Sequence, residues 1–406
     1  MSLNSTPNGE RIHIGIFGRR NAGKSSLINA ITNQKLAVVS DVAGTTTDPV
    51  SKAMEILPLG PVLITDTPGF DDEGDLGSLR VGKAYEVLRK VNIAVLVISS
   101  ENQISSQERQ FIDEFVKRNL PYIICINKSD LINIEETASK YCEEKFYNEI
   151  IFVSAKSGDG IDRLKEKLAV FDDTDNEKHI ISDLVEREDT VVLVIPIDES
   201  APKGRLILPQ QQVIRDLLEA GATVVATKET ELRETLDKLS KAPKAVITDS
   251  QAFSYVAKIV PEEIFLTSFS ILMARYKGDL EWQVAGAKEI DSLKNGAKVL
   301  VCEGCTHHRQ CGDIGTVKLP KWIKEYTGRE FYFEFTSGTE FPKDVSGYDL
   351  IIHCGGCTLN EKEMKYRIEL AKEAGVPITN YGVMISYING ILERSLRLLT
   401  IGSKVE

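Results

Sequence analysis

The sequence lacks several features that would place it in common classes of protein. Among its 406 residues no apolar run approaches the roughly 18 residues that a membrane span needs. Residues 1–11 are largely polar and precede the first apolar segment, so we expect no secretory signal. Internal repeats, low-complexity tracts and long runs of lysine and arginine are also missing. We therefore expect a globular protein that resides in the cytoplasm and does not bind membranes.

Net positive charge and a regular set of cysteines are missing as well. The formal net charge is −11, and a surface of that sign repels nucleic acids and anionic lipids. The chain has seven cysteines, an odd number, and they are unevenly placed. In a reducing cytoplasm this pattern favours metal or redox chemistry over disulfide bonds.

Strand-like and helix-like segments alternate along the whole chain, which predicts parallel sheets covered by helices. The predicted fold class is α/β with three domains, a number that the length allows. The first domain spans 1–172 and has a mainly parallel sheet. Two smaller parallel α/β domains follow at 173–274 and 275–406. The final apolar stretch, 383–399, is predicted to form one continuous helix.

The first domain contains a phosphate-binding loop, GRRNAGKS at 18–25, which fits the pattern G-x-x-x-x-G-K-[ST]. Gly18 and Gly23 let successive backbone N–H groups face phosphate oxygens. Lys24 places a charge near the terminal phosphates, and Ser25 offers a hydroxyl to Mg²⁺. The loop follows a predicted strand and opens a predicted helix, so the first domain is predicted to be a P-loop nucleotide-binding domain.

Three more motifs follow predicted strands in the order that a guanine-nucleotide site requires. They are DTPG at 66–69, NKSD at 127–130 and SAK at 154–156. Asp66 can reach the metal through water, and the Gly69 N–H can contact the γ-phosphate. Asp130 can accept two N–H bonds from the Watson–Crick edge of guanine, and Asn127 can bond its other edge. A backbone N–H of the last motif can contact the guanine oxygen.

Together these motifs resemble the translation-factor-like GTPases, within the branch of the tRNA-modification GTPase MnmE and the ribosome-assembly GTPase Era. The resemblance implies a first switch at 41–50, with Thr46 as the Mg²⁺-binding threonine and Thr45 and Thr47 as alternative registers. It also implies that Asn21 helps to bind a K⁺ ion that accelerates hydrolysis. The residues expected to bind GTP are Gly18, Asn21, Ala22, Gly23, Lys24, Ser25, Ser26, Thr45, Thr46, Asp66, Gly69, Asn127, Lys128, Asp130, Ser154, Ala155 and Lys156.

One position departs from the pattern of Ras-like enzymes. They carry a water-orienting glutamine directly after the DTPG motif, and this chain carries Phe70. A phenyl ring cannot orient water, so we expect slow intrinsic hydrolysis that relies on a cation, a backbone group or a partner. Slow hydrolysis suits a switch better than a motor.

Two short runs, 302–311 and 353–357, hold five of the seven cysteines and three of the five histidines. Thiolates and imidazoles are ligands of transition metals and iron–sulfur clusters. Each run follows a predicted strand, so both loops lie at one sheet edge if the strands are parallel neighbours. The gap between Cys305 and Cys354 is 48 residues, against roughly 15–20 in a zinc ribbon. A gap of this length disfavours a zinc ribbon and is compatible with an iron–sulfur cluster, whose ligands need only meet in space. Cys302 is predicted to be a buried apolar thiol within its strand.

Cys305-Thr-His307 followed by HCGGC at 353–357 closely resembles the signature of the HydF family, the GTPases that mature FeFe-hydrogenase. The resemblance covers the whole chain and implies a GTPase domain, a dimerisation domain and a cluster domain. It implies that Cys305, Cys354 and Cys357 hold a 4Fe-4S cluster with an exchangeable fourth position. The candidates for that position are His353, His307, His308 and Cys311, with Asp313 as a less favoured oxygen ligand.

This resemblance implies a GTP-hydrolysing scaffold that carries the di-iron precursor of the hydrogenase active site and transfers it to the apo-hydrogenase. The implied partners are the FeFe-hydrogenase, two radical-SAM maturases and further copies of this chain in a homodimer or larger homo-oligomer. The chain lacks the C-x-x-x-C-x-x-C triple of a radical-SAM enzyme. The alternative is a MnmE- or Era-like GTPase that acts on RNA or ribosomes and has a structural zinc site.

Overall fold

The computed structural model describes eight stretches of the chain, which are residues 6–32, 49–70, 75–142, 144–171, 178–197, 206–304, 313–338 and 340–402. The chain divides into two compact units, 1–176 and 177–406. Within the described stretches, no helix is both long enough and apolar enough to cross a lipid bilayer.

The first unit contains a six-stranded sheet in the order β2-β3-β1-β4-β5-β6. All neighbouring strands are parallel except β2 and β3, which pair antiparallel. The strands are β1 (Ile12–Phe17), β2 (Val50–Ile56), β3 (Gly60–Asp66), β4 (Ile93–Ser99), β5 (Tyr122–Asn127) and β6 (Ile150–Phe152). The helices are α1 (Lys24–Thr32), α2 (Asp75–Leu88), α3 (Ser106–Lys117), α4 (Ile134–Ser139) and α5 (Ile161–Val170). This arrangement confirms the predicted mainly parallel sheet.

Helices cover both faces of this sheet, and the strand sequences reflect it. All seven residues of β4 are buried, which is typical of a parallel strand with two covered faces. Val95 and Val97 face the cluster that includes α1 and α5. Leu96 and Ile98 face the opposite cluster, which includes α2 and α3. The two cores hold the sheet rigid, so the loops after its strands present side chains from fixed positions.

The second unit contains two four-stranded sheets, both entirely parallel, in the orders β10-β9-β7-β8 and β12-β11-β13-β14. The strands are β7 (Thr190–Val194), β8 (Thr223–Thr227), β9 (Ala245–Thr248), β10 (Phe265–Ser268), β11 (Lys298–Glu303), β12 (Tyr332–Ser337), β13 (Leu350–His353) and β14 (Ile378–Asn380). The helices are α6 (Leu208–Glu219), α7 (Leu232–Lys238), α8 (Phe253–Ala257), α9 (Phe269–Lys277), α10 (Leu280–Lys288), α11 (Leu319–Thr327), α12 (Glu361–Glu373), α13 (Tyr381–Ile388) and α14 (Leu392–Gly402).

A single hydrophobic core joins the two sheets of the second unit. It contains Val192 of β7 and Leu266 of β10 together with Val299 of β11 and Ile352 of β13. The predicted boundary at residue 274 falls inside α9, whose apolar side chains belong to that core. The two smaller α/β regions therefore fold against each other as one compact body.

The predicted single helix over 383–399 is wrong, because the structure divides it into α13 and α14. Gly390 has φ +71°, the left-handed conformation that closes a helix. The Gly390 N–H donates to Tyr387 O and the Ile391 N–H donates to Ser386 O, at 2.9 Å each. These two bonds form a Schellman motif, which ends α13 at Ile388 with Asn389 as its C-cap and redirects the chain into α14.

Candidate functional site

The phosphate loop connects β1 to α1, as the motif predicts. Gly18 and Gly23 have φ +143° and +92°, and a Cβ at Gly18 would lie 2.2 Å from the Val97 carbonyl oxygen. The Lys24 ammonium folds back across the loop and donates to Gly18 O and Arg19 O at 2.9 Å each. The loop is thus closed around its own lysine and leads into the amino-terminal end of α1, an end of a helix that favours anions.

Ser25 and Asp66 lie where a magnesium ion would be held. The Ser25 hydroxyl donates to Asp66 Oδ2 at 2.8 Å. Burial raises the pKa of the Asp66 carboxyl, against the opposing effects of the Ser25 bond and the Lys24 charge. Asp66 Oδ1 is buried and has no hydrogen-bond partner among the described residues. An orphaned carboxylate oxygen fits a metal-bound water, so this pair fits Mg²⁺.

The base-binding motifs are joined by one buried side chain, Asn127. Its amide nitrogen donates to Ala22 O at 3.0 Å, and its carbonyl oxygen accepts from the Ala155 N–H at 3.1 Å. Asn127 therefore connects the phosphate loop to the SAK motif. The Ala155 N–H, one of the backbone donors of the SAK motif, is engaged by Asn127 in this structure.

Asp130 is exposed at the end of β5 and available to a base. The Ser154 hydroxyl donates to its Oδ1 at 2.7 Å and lowers the pKa of this carboxyl. The carboxylate is therefore ionised and oriented, as recognition of the guanine N–H groups requires. Lys128 has the left-handed conformation (φ +61°), and its ammonium pairs with Glu101 at 2.8 Å. Lys156 is exposed after β6.

Three other residues near the nucleotide site have distinct surroundings. Asn21 is exposed in the phosphate loop with φ +59°. A Cβ at Gly69 would lie 2.7 Å from the Arg20 nitrogen, so the DTPG turn packs directly on the phosphate loop. Phe70 is fully buried and stacks on Phe111 at 4.5 Å between ring centroids, so its ring belongs to the core. The predicted switch threonines, Thr45 and Thr46, lie outside the described residues.

The second candidate site lies at the carboxyl ends of β11 and β13, which are parallel neighbours as predicted. Cys302 of β11 pairs in register with His353 of β13, and the Cys354 N–H donates to Cys302 O at 2.8 Å. Cys302 is fully buried, which confirms its predicted place within the strand. Burial raises the pKa of its thiol to about 11, so it stays protonated at neutral pH.

The Cys354 sulfur is surrounded by backbone donors. The Gly304 N–H donates to Sγ at 2.9 Å and the Gly356 N–H approaches it at 3.4 Å. The Thr358 hydroxyl donates to Gly304 O at 2.5 Å, which fastens the two loops together. N–H groups aimed at a sulfur stabilise its thiolate form, the form that binds metal. The loops therefore fit a thiolate-ligated metal centre.

The other predicted ligands are only partly placed. Cys357 is half-buried in the same loop as Cys354. Cys305, His307, His308 and Cys311 lie at 305–312, outside the described residues. Within the described part of the chain, no three metal-ligating side chains converge. The predicted set of three cysteines thus stays a prediction.

His353, the fourth-ligand candidate that the structure does describe, is 1% exposed. Its Nδ1 lies 2.8 Å from Cys354 O, and its Nε2 lies 2.8 Å from Arg367 Nη1. Burial, followed by the Arg367 charge, lowers the pKa of His353 to about 3, so the ring is neutral. Both ring nitrogens are engaged, and coordination of iron would require one of these contacts to break.

Three charged residues beneath the cysteine loop were missed by the sequence analysis. Arg367 and Glu363 of α12 form a buried ion pair, with Nε to Oε1 at 2.9 Å. Removing one partner from such a pair typically costs about 3–5 kcal/mol. Lys277 of α9 is 2% exposed and donates to Leu359 O at 3.0 Å. The i, i+4 spacing of Glu363 and Arg367 was the available signal.

Three family models match consecutive parts of the chain. The model described as 50S ribosome-binding GTPase matches residues 13–128, and the first unit is accordingly a P-loop GTPase domain. The Hydrogen maturase F dimerization domain matches 180–278, and the Hydrogen maturase F tetramerization domain matches 281–398. The last two descriptions support a homo-oligomer.

Curated relatives are similar to the GTPase part alone. GTPase Der of Mycoplasmopsis agalactiae is 34% identical over 164 residues, 37% of each chain. GTPase Der of Kosmotoga olearia is 35% identical over 171 residues, 39% of this chain and 38% of its own. The tRNA modification GTPase MnmE of Endomicrobium trichonymphae is 34% identical over 175 residues, 41% of this chain and 37% of its own. The chain therefore spans little more than a third of the length of these relatives.

Two solved structures give the corresponding comparison in three dimensions. Era in complex with MgGDPNP and a 16S ribosomal RNA segment is 19% identical, with a TM-score of 0.36, over 55% of this chain and 96% of that chain. The G domain of T. maritima FeoB is 22% identical, with a TM-score of 0.29, over 40% of this chain and 99% of that chain.

Proposed function

We propose, because the chain belongs to the hydrogen maturase F (HydF) family, that it is a GTP-hydrolysing scaffold for the maturation of FeFe-hydrogenase. It would hold the di-iron precursor of the hydrogenase active site as cargo and transfer it to the apo-hydrogenase. The observation that carries this proposal is the pair of HydF domain matches directly behind a GTPase domain.

Different residues of the first unit would bind the phosphates, the Mg²⁺ ion and the base of GTP. Lys24 would contact the terminal phosphates, and Ser25 and Asp66 would hold Mg²⁺, which would neutralise phosphate charge. Asp130 selects guanine. The buried ring of Phe70 offers no group that could orient water. Hydrolysis is therefore slow without a cation or a partner, and the lifetime of bound GTP would set when partners are exchanged.

We further propose that Asn21 contributes an oxygen to a K⁺ site beside the phosphates. Its exposed, left-handed position in the loop supports this role. GTP hydrolysis should be faster in potassium than in sodium buffer, and Asn21→Ala should lose that difference. Equal rates for the unaltered protein in the two buffers would rule out the cation role.

Cys305, Cys354 and Cys357 are the proposed ligands of a 4Fe-4S cluster in the second unit. The backbone donors around the Cys354 sulfur support a thiolate there. When bound, the cluster would supply an iron whose fourth position is exchangeable. Cargo could attach at that position, while the backbone donors of the loop would orient the Cys354 thiolate.

The proposed partners follow from the same family. They are the FeFe-hydrogenase, two radical-SAM maturases and further copies of this chain. We place these encounters in the cytoplasm. The GTPase acting on RNA with a structural zinc site is the alternative, and analysis of the bound metal distinguishes it.

The experiment is anaerobic reconstitution of the full chain with iron and sulfide, followed by metal and sulfide analysis. We expect a brown protein with iron and sulfide in equal amounts. The triple variant Cys305→Ser, Cys354→Ser, Cys357→Ser should bind neither, whereas Cys302→Ala should bind both, because Cys302 lies within β11. Colourless protein with one zinc per chain would refute the cluster.

A further inference from the structure

We propose that Arg367 and His353 form a positioning pair that fixes the backbone of the cysteine loop, and that His353 is not the exchangeable ligand. This inference rests on the proposed cluster function. Neither residue would touch cargo, since both are buried below the loop. They act through the Cys354 carbonyl.

The guanidinium of Arg367 is completely buried, and its position is determined on every side. It donates from Nε to Glu363 at 2.9 Å, from Nη1 to His353 at 2.8 Å and from Nη2 to Gly338 O at 3.2 Å. It also lies over the Phe341 ring at 4.9 Å. A planar group held by this many contacts has little freedom to rotate, so the donor that faces His353 is fixed.

The direction of the next hydrogen bond follows from chemistry alone. A guanidinium donates and never accepts, so His353 Nε2 must be the acceptor and carries no hydrogen. A neutral imidazole then carries its hydrogen on Nδ1. That hydrogen is aimed at Cys354 O, 2.8 Å away. Arg367 therefore selects the tautomer that lets His353 hold the peptide leading into the Gly355-Gly356 turn.

The held carbonyl belongs to the residue whose sulfur receives the Gly304 and Gly356 N–H groups. Rotation of that peptide would move the Gly356 donor away from Cys354 Sγ. Coordination of iron through Nε2 would leave a buried Arg367 donor unpaired, which proteins avoid. Coordination through Nδ1 would release the carbonyl. Both routes disrupt the loop, so the fourth position would be taken by one of the candidates other than His353.

The first test uses the apo-protein and needs no cluster. Nitrogen-15 NMR of histidine-labelled full chain should show His353, assigned by its loss in His353→Asn, as a single Nδ1–H tautomer. Arg367→Met should lose that single state, and Arg367→Lys should restore it in part. A hydrogen on Nε2 in the unaltered protein, or an unchanged signal in Arg367→Met, would overturn the pairing.

The second test uses the reconstituted, reduced protein and electron paramagnetic resonance. Arg367→Met and His353→Asn should shift the cluster spectrum in the same way. Arg394→Met is the control, because Arg394 is a partly buried arginine of the same unit that donates to Ala257 O and Val260 O. It should leave the spectrum unchanged. A histidine nitrogen coupled to the cluster in unaltered protein and lost in His353→Asn would show direct coordination and overturn the proposal.

The two tests separate this proposal from the cluster proposal. Absence of iron and sulfide from the unaltered protein would refute the cluster. The tautomer measurement on the apo-protein would still decide whether Arg367 sets the state of His353.

Discussion

Gly23 is the residue on which closure of the phosphate loop depends. Its φ is +92°, and a Cβ there would lie 2.2 Å from Asn127 Nδ2. Gly23→Ala should displace Asn127 and break its bonds to Ala22 and Ala155. Loss of about 1.5–3 kcal/mol from these contacts corresponds to GTP binding roughly 10- to 100-fold weaker. Titration with a fluorescent GTP analogue measures this change in the dissociation constant.

Gly60→Ala is the matched control for that change. Gly60 also has a left-handed conformation, with φ +85°, but no described atom lies within 4 Å of its would-be Cβ. The Gly60→Ala variant should therefore lose only the stability that backbone strain costs, about 1–2 kcal/mol, and should bind GTP normally. If the two variants bind GTP equally well, steric contact with Asn127 is not what requires glycine in the loop.

Some site residues could be predicted because they belong to short sequence motifs. Lys24, Ser25 and Asp66 belong to short motifs, and they meet as expected because each motif follows a strand of one sheet. Arg367 could not be predicted in this way. A charged residue in a helix usually faces water, and only the fold shows that this one faces His353.

At the scale of elements, central strands were predictable because burial on two faces gives continuous apolar runs, such as IAVLVIS in β4. β2 was missed. Its sequence, VSKAMEI, alternates exposed and partly buried residues at the sheet edge, where one neighbour and one covered face leave a weak signal. It also forms with β3 the one antiparallel pair among the described strands of this sheet.

The prediction of one continuous helix across α13 and α14 failed for a different reason. The apolar pattern continues across the break, because both helices contribute to the same core. Hydrophobic periodicity therefore could not show where the first helix ends. The Asn389-Gly390 dipeptide did carry that signal, since such pairs favour turns, and the Schellman bonds at Gly390 make use of it.

At the scale of the whole molecule, the sequence predicted three domains and the contacts group them into two units. The GTPase unit has hydrophobic cores of its own. The two later sheets share a core whose members run from Ile180 to Leu399, with side chains from both regions in contact. Sequence patterns report which residues are apolar, and they do not report which apolar faces meet.

Calorimetry of the full chain tests this organisation. We expect two unfolding transitions, one for each unit. The unit with the two four-stranded sheets should unfold in a single cooperative step, because the sheets share one core. GDP with Mg²⁺ at 100 times its dissociation constant adds about 2.7 kcal/mol to the unit that binds it. That should raise the Tm of the GTPase unit by roughly 5–10 °C and leave the Tm of the other unit in place. The Lys24→Ala variant should lose the nucleotide shift. Three separate transitions, or an equal shift of both, would show that the molecule is not built from these two cooperative units.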